Sequence, residues 1–349
     1  MIQIQTLVIT PEMLMLIAEI DEFKGAWRAF GNLAPDKLLQ LQKVATIESI
    51  GSSTRIEGSK LSDRQVELLL LGLQVQKFDT RDEQEVAGYA ELMNTIFFNY
   101  NDIPLSENFI QQLHHTLLKY SEKDYWHKGQ YKQHPNHVVA NDADGKEIGV
   151  VFETVTPFDT PYRMKELVDW AQNAFSEGKL HPLLIIAIFI VVFLAIHPFQ
   201  DGNGRLSRAL TTFLLLKSGY HYVPFSSLEA VIEQEKKGYY LSLRQTQTTL
   251  NFPKPNWEMW ITFFLKSLKR QKDNLEIKIN REHILLSQQP EYVQFILEIL
   301  QSRGRITIQE LEKLTTYSRA NLKKYVEKMV KNNQIKLNGK GRGTWYTLV

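Results

Sequence analysis

The feature that most constrains this chain is an unbroken apolar run, "LLIIAIFIVVFLAI", from Leu183 to Ile196. Its 14 residues fall short of the about 20 that a membrane-spanning helix needs. The run therefore predicts a helix buried on all sides. His181-Pro182 opens it, and a proline is well suited to the first helical turn. Such a helix must be wrapped by other elements, and its polar end, "HPFQDGNGRLSR" at 197–208, must be where the core meets something else.

The rest of the chain supplies the wrapping. Apolar Val86, Tyr89, Leu92, Met93 and Ile96 recur at helical spacing. So do Phe109, Ile110, Leu113 and Leu117, and again Met164, Leu167, Val168 and Ala171. Ser62 reads as a helix cap, and "LTTFLLLKSGY" as a buried helix stopping at Gly219. "VVANDADGKEIGVVF" reads as a small β-hairpin about a turn-forming centre. "WEMWITFFLKSLKRQKDNLEIKIN" is a long, increasingly charged helix. From about Pro290, three short helices lead into strand, Gly-rich turn and strand, the order of a winged helix. The expected fold is all-α with one small hairpin and a C-terminal winged helix-turn-helix domain. The expected divisions are 1–100, 101–280 and 281–349.

"DGNG" breaks helix and lets backbone N–H groups turn inward as an anion nest. A helix starting near Arg205 aims its positive end at the same place. Arg205 and Arg208 sit three apart, on one face of that first turn, and guanidinium is the planar partner for phosphate oxygens. Asp201 offers a hard oxygen for Mg²⁺. His197, leaving the apolar helix, is placed as a general base. A metal, a positive clamp and a base are the parts of phosphoryl or nucleotidyl transfer. Taken singly, each residue is equally consistent with helix capping or a solvated surface.

"HPFQDGNGRLSR" resembles, without a departure, the Fic-family motif His-x-Phe-x-(Asp/Glu)-Gly-Asn-Gly-Arg-x-x-Arg. The resemblance extends over roughly Glu107 to Leu250. It implies a helical Fic-type core and transfer of AMP from ATP to a protein hydroxyl. By that resemblance, His197 deprotonates a Ser, Thr or Tyr hydroxyl and Phe199 anchors the loop. Asp201 holds Mg²⁺, and Gly202, Asn203 and Gly204 cradle the α- and β-phosphates. Arg205 clamps the phosphates and Arg208 reaches the γ-phosphate, with Leu206 and Ser207 inside the same nucleotide-binding run. The hairpin, placed at Lys132 to Phe152, corresponds to the family's flap, which takes an extended target segment as an added strand. In "GYYLSLRQTQ", Tyr239 is the tyrosine expected beside adenine, with Tyr240 its competitor.

Further upstream, "SSTRIEGS" resembles the family's inhibitory motif (Ser/Thr)-x-x-x-Glu-(Gly/Asn), here Ser53, Glu57 and Gly58. Ser53 and Glu57 are one helical turn apart, and Gly58 suits a helix end. The resemblance implies that Glu57 pairs with Arg208, taking the arginine that the γ-phosphate needs. It also raises a reverse activity, removal of AMP, with Glu57 placing a water, and other transferred groups such as UMP, phosphocholine or phosphate.

Other signals narrow the class less. With no cysteine there is no disulfide, thiolate zinc site or cysteine nucleophile, which suits a reducing cytoplasm. A net charge of +2 gives no global bias toward nucleic acid. The opening residues lack a basic leader and an apolar core, so no signal peptide is expected. His114, His115, His127, His134 and His137 match no zinc spacing. Residues 321–342 carry seven Lys or Arg against the single acid Glu327, a footprint for DNA backbone. Base-reading side chains are few there, so a protein partner stays open. A homodimer, self-modification, and a DNA-binding regulator that senses nucleotide remain alternatives.

Overall fold

The computed structural model describes residues 2–27, 35–72, 78–136, 138–141, 147–287, 290–339 and 341–349. These divide into two compact units, Met1–Asn274 and Leu275–Val349. The first contains both the expected N-terminal helical region and the core that follows it. Its helices are α1 (Pro11–Trp27), α2 (Pro35–Ile56), α3 (Asp63–Leu71), α4 (Arg81–Asn99) and α5 (Glu107–Leu117). After a hairpin come α6 (Thr160–Glu177), α7 (Pro182–Ile196), α8 (Asn203–Lys217), α9 (Leu228–Gln234) and α10 (Lys236–Gln247). Helix α11 (Glu258–Ser287) runs on past the boundary of the first unit.

The apolar run is α7, and all of Leu183–Ile196 but Val192 is buried. Each such Leu, Ile or Phe side chain contributes about 1.5–3 kcal/mol on leaving water. Helices α6, α8 and α10 pack around it. The Trp260 indole N–H donates to the Ala187 carbonyl at 2.7 Å, so even the large aromatic against this helix has its polar atom satisfied. The apolar stripes expected on α4, α5 and α6 are all buried. Ser62 caps α3 in a reciprocal box with Gln65, and Thr80 does the same for α4 with Glu83.

The hairpin pairs β1 (Val138–Asn141) with β2 (Glu147–Phe152), antiparallel, with Val138 opposite Phe152 and Asn141 opposite Glu147. The turn expected to join them, 142–146, and His137 lie outside the described residues.

The second unit contains α12 (Glu291–Arg303), α13 (Ile308–Leu314), α14 (Arg319–Lys331), β3 (Ile335–Asn338) and β4 (Trp345–Leu348). Its core includes Ile296, Leu300, Leu311, Leu322 and Val326. β3 and β4 pair antiparallel, Ile335 opposite Leu348. Ile306 adds a bridge on Tyr346 that the strand–turn–strand pattern did not suggest.

Candidate active site

Helix α7 ends on His197, which takes a left-handed backbone, φ 53° and ψ 60°. Its N–H still closes the helix on Phe193 O at 2.9 Å. The ring Nδ1 lies 3.3 Å from Leu194 O. A carbonyl only accepts, so Nδ1 carries the proton and Nε2 keeps its lone pair. Burial pushes the imidazole down to about 4, and the nearby Lys132 ammonium adds to the depression, against the opposing pull of the Leu194 hydrogen bond. The ring is therefore neutral at pH 7.

The loop after His197 is fixed from several sides. Phe199 is fully buried, its ring stacked on His114 at 3.9 Å between centroids. His114 Nδ1 accepts the Gly129 N–H at 2.9 Å. The other nitrogen, Nε2, therefore holds the proton and donates to the Asp201 carbonyl at 3.0 Å. Burial keeps His114 neutral, its pKa down at about 3. The Asn203 amide brackets Phe199, taking its N–H at 3.0 Å and giving to its carbonyl at 2.7 Å. Gly202, at φ 79°, takes a backbone that strains other residues, and a Cβ there would press on the Leu117 side chain at 3.0 Å. His114 was passed over as a metal ligand, yet it sits four residues after Ile110 on the α5 stripe, and that register is the sign of its burial.

Helix α8 begins at Asn203, and its cap, Gly202, provides no side-chain hydrogen bond. The first-turn amides are thus left for an anion. Arg205 and Arg208 are buried on the same helix. Leu206 points into the core and its N–H already bonds Gly202 O, while the Ser207 hydroxyl donates to Gly204 O.

Four charges close a ring at the mouth of the loop. Arg205 lies 3.1 Å from Glu85 and 3.5 Å from Asp201. Arg81 lies 2.8 Å from Glu85 and 3.1 Å from Asp201. Burial would raise the Asp201 carboxyl, but Arg205, the Gly202 N–H and Arg81 outweigh it and hold its pKa below the usual value. An ionised, 37% exposed carboxylate is a suitable hard ligand for Mg²⁺. Among the described residues no cluster of three or more acids and histidines could cage a metal. A cation at Asp201 would have to complete its shell with water and phosphate oxygens, as Mg²⁺ does.

Ser53 and Glu57 both converge on Arg208. Its Nε donates to Ser53 Oγ at 2.9 Å, and its Nη2 donates to Ser53 O at 2.8 Å and Glu57 Oε1 at 2.9 Å. Gly58, at φ 109°, turns the chain away just past α2. Arg55 ties the same helix end to Glu233 through bonds of 2.7 and 3.0 Å. Glu57 Oε1 lies so close to Gly204 that a Cβ there would collide with it. The Glu57 carboxylate thus lies between Gly204 and Arg208. Of the tyrosine pair, Tyr239 is buried at 3% exposure and packs edge-on against Trp260, whereas Tyr240 is 41% exposed. Both tyrosines lie close to Glu57 and Arg208. A cavity of about 430 Å³, within the range of small-molecule sites, is lined by Thr154, Val192, Ile196, Gln247 and Trp257.

Comparison with known proteins bears on this geometry. Residues 104–215 match the model of the Fic/DOC family. The chain is 26% identical over 230 residues to "Protein adenylyltransferase Fic" of Drosophila willistoni, a match covering 65% of this chain and 42% of that protein. The chain thus spans less than half the length of this relative. A crystal structure of a Fic domain containing signaling protein from Bacteroides thetaiotaomicron superposes with a TM-score of 0.60 at 26% identity, over 74% of this chain and 95% of the other. A Fic family protein from Desulfovibrio desulfuricans shares the fold over 98% of this chain and 97% of its own, with a TM-score of 0.64 at 23% identity. The stretch that resembles the Fic/DOC family, residues 104–215, holds His197, Asp201, Arg205 and Arg208.

Proposed function

We propose that this chain transfers AMP from ATP to a Ser, Thr or Tyr hydroxyl of a protein and rests in a restrained state. The observation that carries the reading is a neutral His197 with a free Nε2, six residues before the start of a helix whose first turns carry buried Arg205 and Arg208. The relative named protein adenylyltransferase supports the same chemistry.

In this reading the phosphates lie on the amides at the start of α8, Arg205 clamps them and Arg208 meets the γ-phosphate. His197 Nε2 takes the proton of the target hydroxyl as its oxygen bonds to the α-phosphorus. The bond from that phosphorus to the bridging oxygen breaks, and pyrophosphate leaves. Asp201 would hold Mg²⁺, which neutralises charge on the phosphates. An extended target segment adds to the β1–β2 hairpin edge. The target is a protein that offers such a segment, and the chain itself qualifies. Glu57 restrains the reaction by occupying Arg208, so that ATP binds with its α-phosphate misaligned. Removal of AMP, with Glu57 placing a water, is the reverse use of the same site.

The test is incubation with labelled ATP and Mg²⁺. Glu57→Gly should label itself or lysate proteins strongly, and His197→Ala should not. Equal labelling by both variants would remove the general base from the mechanism.

A second reading concerns the unit Leu275–Val349. We propose that it is a winged helix contacting duplex DNA. On α14, Leu322, Val326 and Met329 are buried while Lys323, Lys324, Lys328 and Lys331 are exposed, which supports a basic helix laid against phosphates. Arg342's side chain and Lys340 lie outside the described residues. A mobility shift that is absent even at low salt would eliminate DNA and leave a protein partner.

A further inference from the structure

His197 holds a backbone conformation that costs a residue with a side chain about 1–2 kcal/mol. Something must keep it there. The segment 132–136 does so by capturing consecutive carbonyls of the loop. Lys132 Nζ donates to Ile196 O at 3.0 Å, and Lys132 N–H donates to Pro198 O at 2.8 Å. The Asn136 amide donates to His197 O at 3.2 Å and to Phe199 O at 2.5 Å. The carbonyls of residues 196, 197, 198 and 199 are therefore all bound by two side chains and one amide of a single short stretch.

Lys132 is unusual in itself. It is 3% exposed, and its other two ammonium bonds go to Asn136 Oδ1 at 2.8 Å and Thr154 Oγ1 at 2.9 Å. All three acceptors are neutral oxygens. A buried ammonium normally demands a carboxylate. Here its compensation is the C-terminal end of α7, where the free carbonyls carry partial negative charge. The Thr154 hydroxyl closes the network by donating to Asn136 Oδ1 at 3.0 Å. Asn136 stands just before β1, and Thr154 just after β2.

We propose that Lys132 and Asn136 are positioning residues for His197. They set the left-handed turn that aims the imidazole and bind that turn to both roots of the hairpin. A polypeptide that adds to the hairpin edge is then aligned against the same anchor as the base. This rests on the reading of the site as an AMP-transfer centre, but the clamp has a consequence that needs no turnover. The Lys132 ammonium is a positive charge close to His197, facing it together with Glu57 and Asp201. Removing it should make the ring easier to protonate.

The experiment compares the Glu57→Gly protein with its Lys132→Met, Asn136→Ala, Thr154→Val and Thr154→Ser derivatives. Histidine ring signals are followed by NMR against pH, and AMP transfer is followed against ATP concentration. Lys132→Met should move the His197 titration to higher pH and lower kcat on the order of 10- to 100-fold, the scale of a misplaced reacting group. The KM for ATP should change little, because the nest belongs to α8. Asn136→Ala should lower kcat in the same way, Thr154→Val should fall between, and Thr154→Ser should match the parent. If Lys132→Met does not fold, the Thr154 pair carries the comparison alone. An unchanged His197 titration with unchanged kcat in Lys132→Met, or equal behaviour of Thr154→Val and Thr154→Ser, overturns the clamp. Absence of transfer from the Glu57→Gly parent overturns the AMP reading instead, and the NMR titration still decides the clamp.

Discussion

Glu57 Oε1 lies 2.9 Å from Arg208 Nη2, joining two residues 151 positions apart in the chain. The arginine is 3% exposed and the glutamate 31%, so the pair is half-shielded from water. Screening by solvent limits its worth as a stabilising ion pair. Its larger effect is positional, because it holds a carboxylate against Gly204 at the mouth of the nest. Glu57→Gly should therefore change activity more than stability. We expect AMP transfer to rise on the order of 10- to 100-fold, measured as self-labelling under saturating ATP. An unchanged rate would mean that Glu57 imposes no restraint.

Ser53 is the quieter half of the same contact. Its hydroxyl accepts from Arg208 Nε within a buried region. Ser53→Ala leaves that donor without an acceptor, at a cost of about 1–3 kcal/mol. The urea midpoint should fall accordingly. Transfer should rise only modestly, since the Ser53 carbonyl and Glu57 still hold Nη2. A variant as stable as the parent would show that the hydroxyl contributes nothing.

Much of this was legible in the sequence, and for identifiable reasons. The buried helix followed from 14 apolar residues too few for a membrane, and among the described residues no helix is long and apolar enough to cross one. The pairing of Glu57 with Arg208, 151 positions apart, was implied by the resemblance of two short motifs to a known family and by nothing in their own spacing. His114 was weighed only as a metal ligand, and Lys132 only as the start of the hairpin. Their roles depend on contacts across 87 and 64 positions, to Asp201 O and Ile196 O, which no local pattern encodes. Arg81 and Glu85 were missed for the same reason: on α4 they look like an ordinary pair four residues apart, and only folding brings Asp201 and Arg205 to them.

That ring of charges bears on the Mg²⁺ proposed at Asp201. Arg81 Nη2 lies 3.1 Å from Asp201 Oδ2 and so competes for a carboxylate that a cation would use. Arg81→Ala should tighten Mg²⁺ binding in the presence of a non-hydrolysable ATP analogue. Asp201→Asn should weaken it by at least about 10-fold, the scale seen when even outer partners of metal ligands are lost. Calorimetric titration reads both without turnover. Weaker metal binding by Arg81→Ala would show that the arginine supports the site rather than competing for it.

The pH response follows from His197. Burial, reinforced by Lys132 and opposed by the Leu194 hydrogen bond, Glu57 and Asp201, leaves its pKa at about 4. A histidine at its ordinary 6.5 would lose half its neutral form at that pH. Here the base should stay available well below it. Transfer by the Glu57→Gly protein should be nearly flat from about pH 8 to 6 and fall only in more acid solution. Stability runs the other way from that apparent tolerance. The folded pKa values of His197 and His114, about 4 and about 3, lie below the unfolded value of 6.5. The unfolded chain therefore takes up protons first as pH drops. The stability these rings contribute is complete above 6.5 and is lost progressively toward 4 and 3. Thermal unfolding should move to lower temperature between pH 7 and 5, and His197→Ala should flatten that slope. A His197 ring seen by NMR to titrate near 6.5 would contradict both expectations at once.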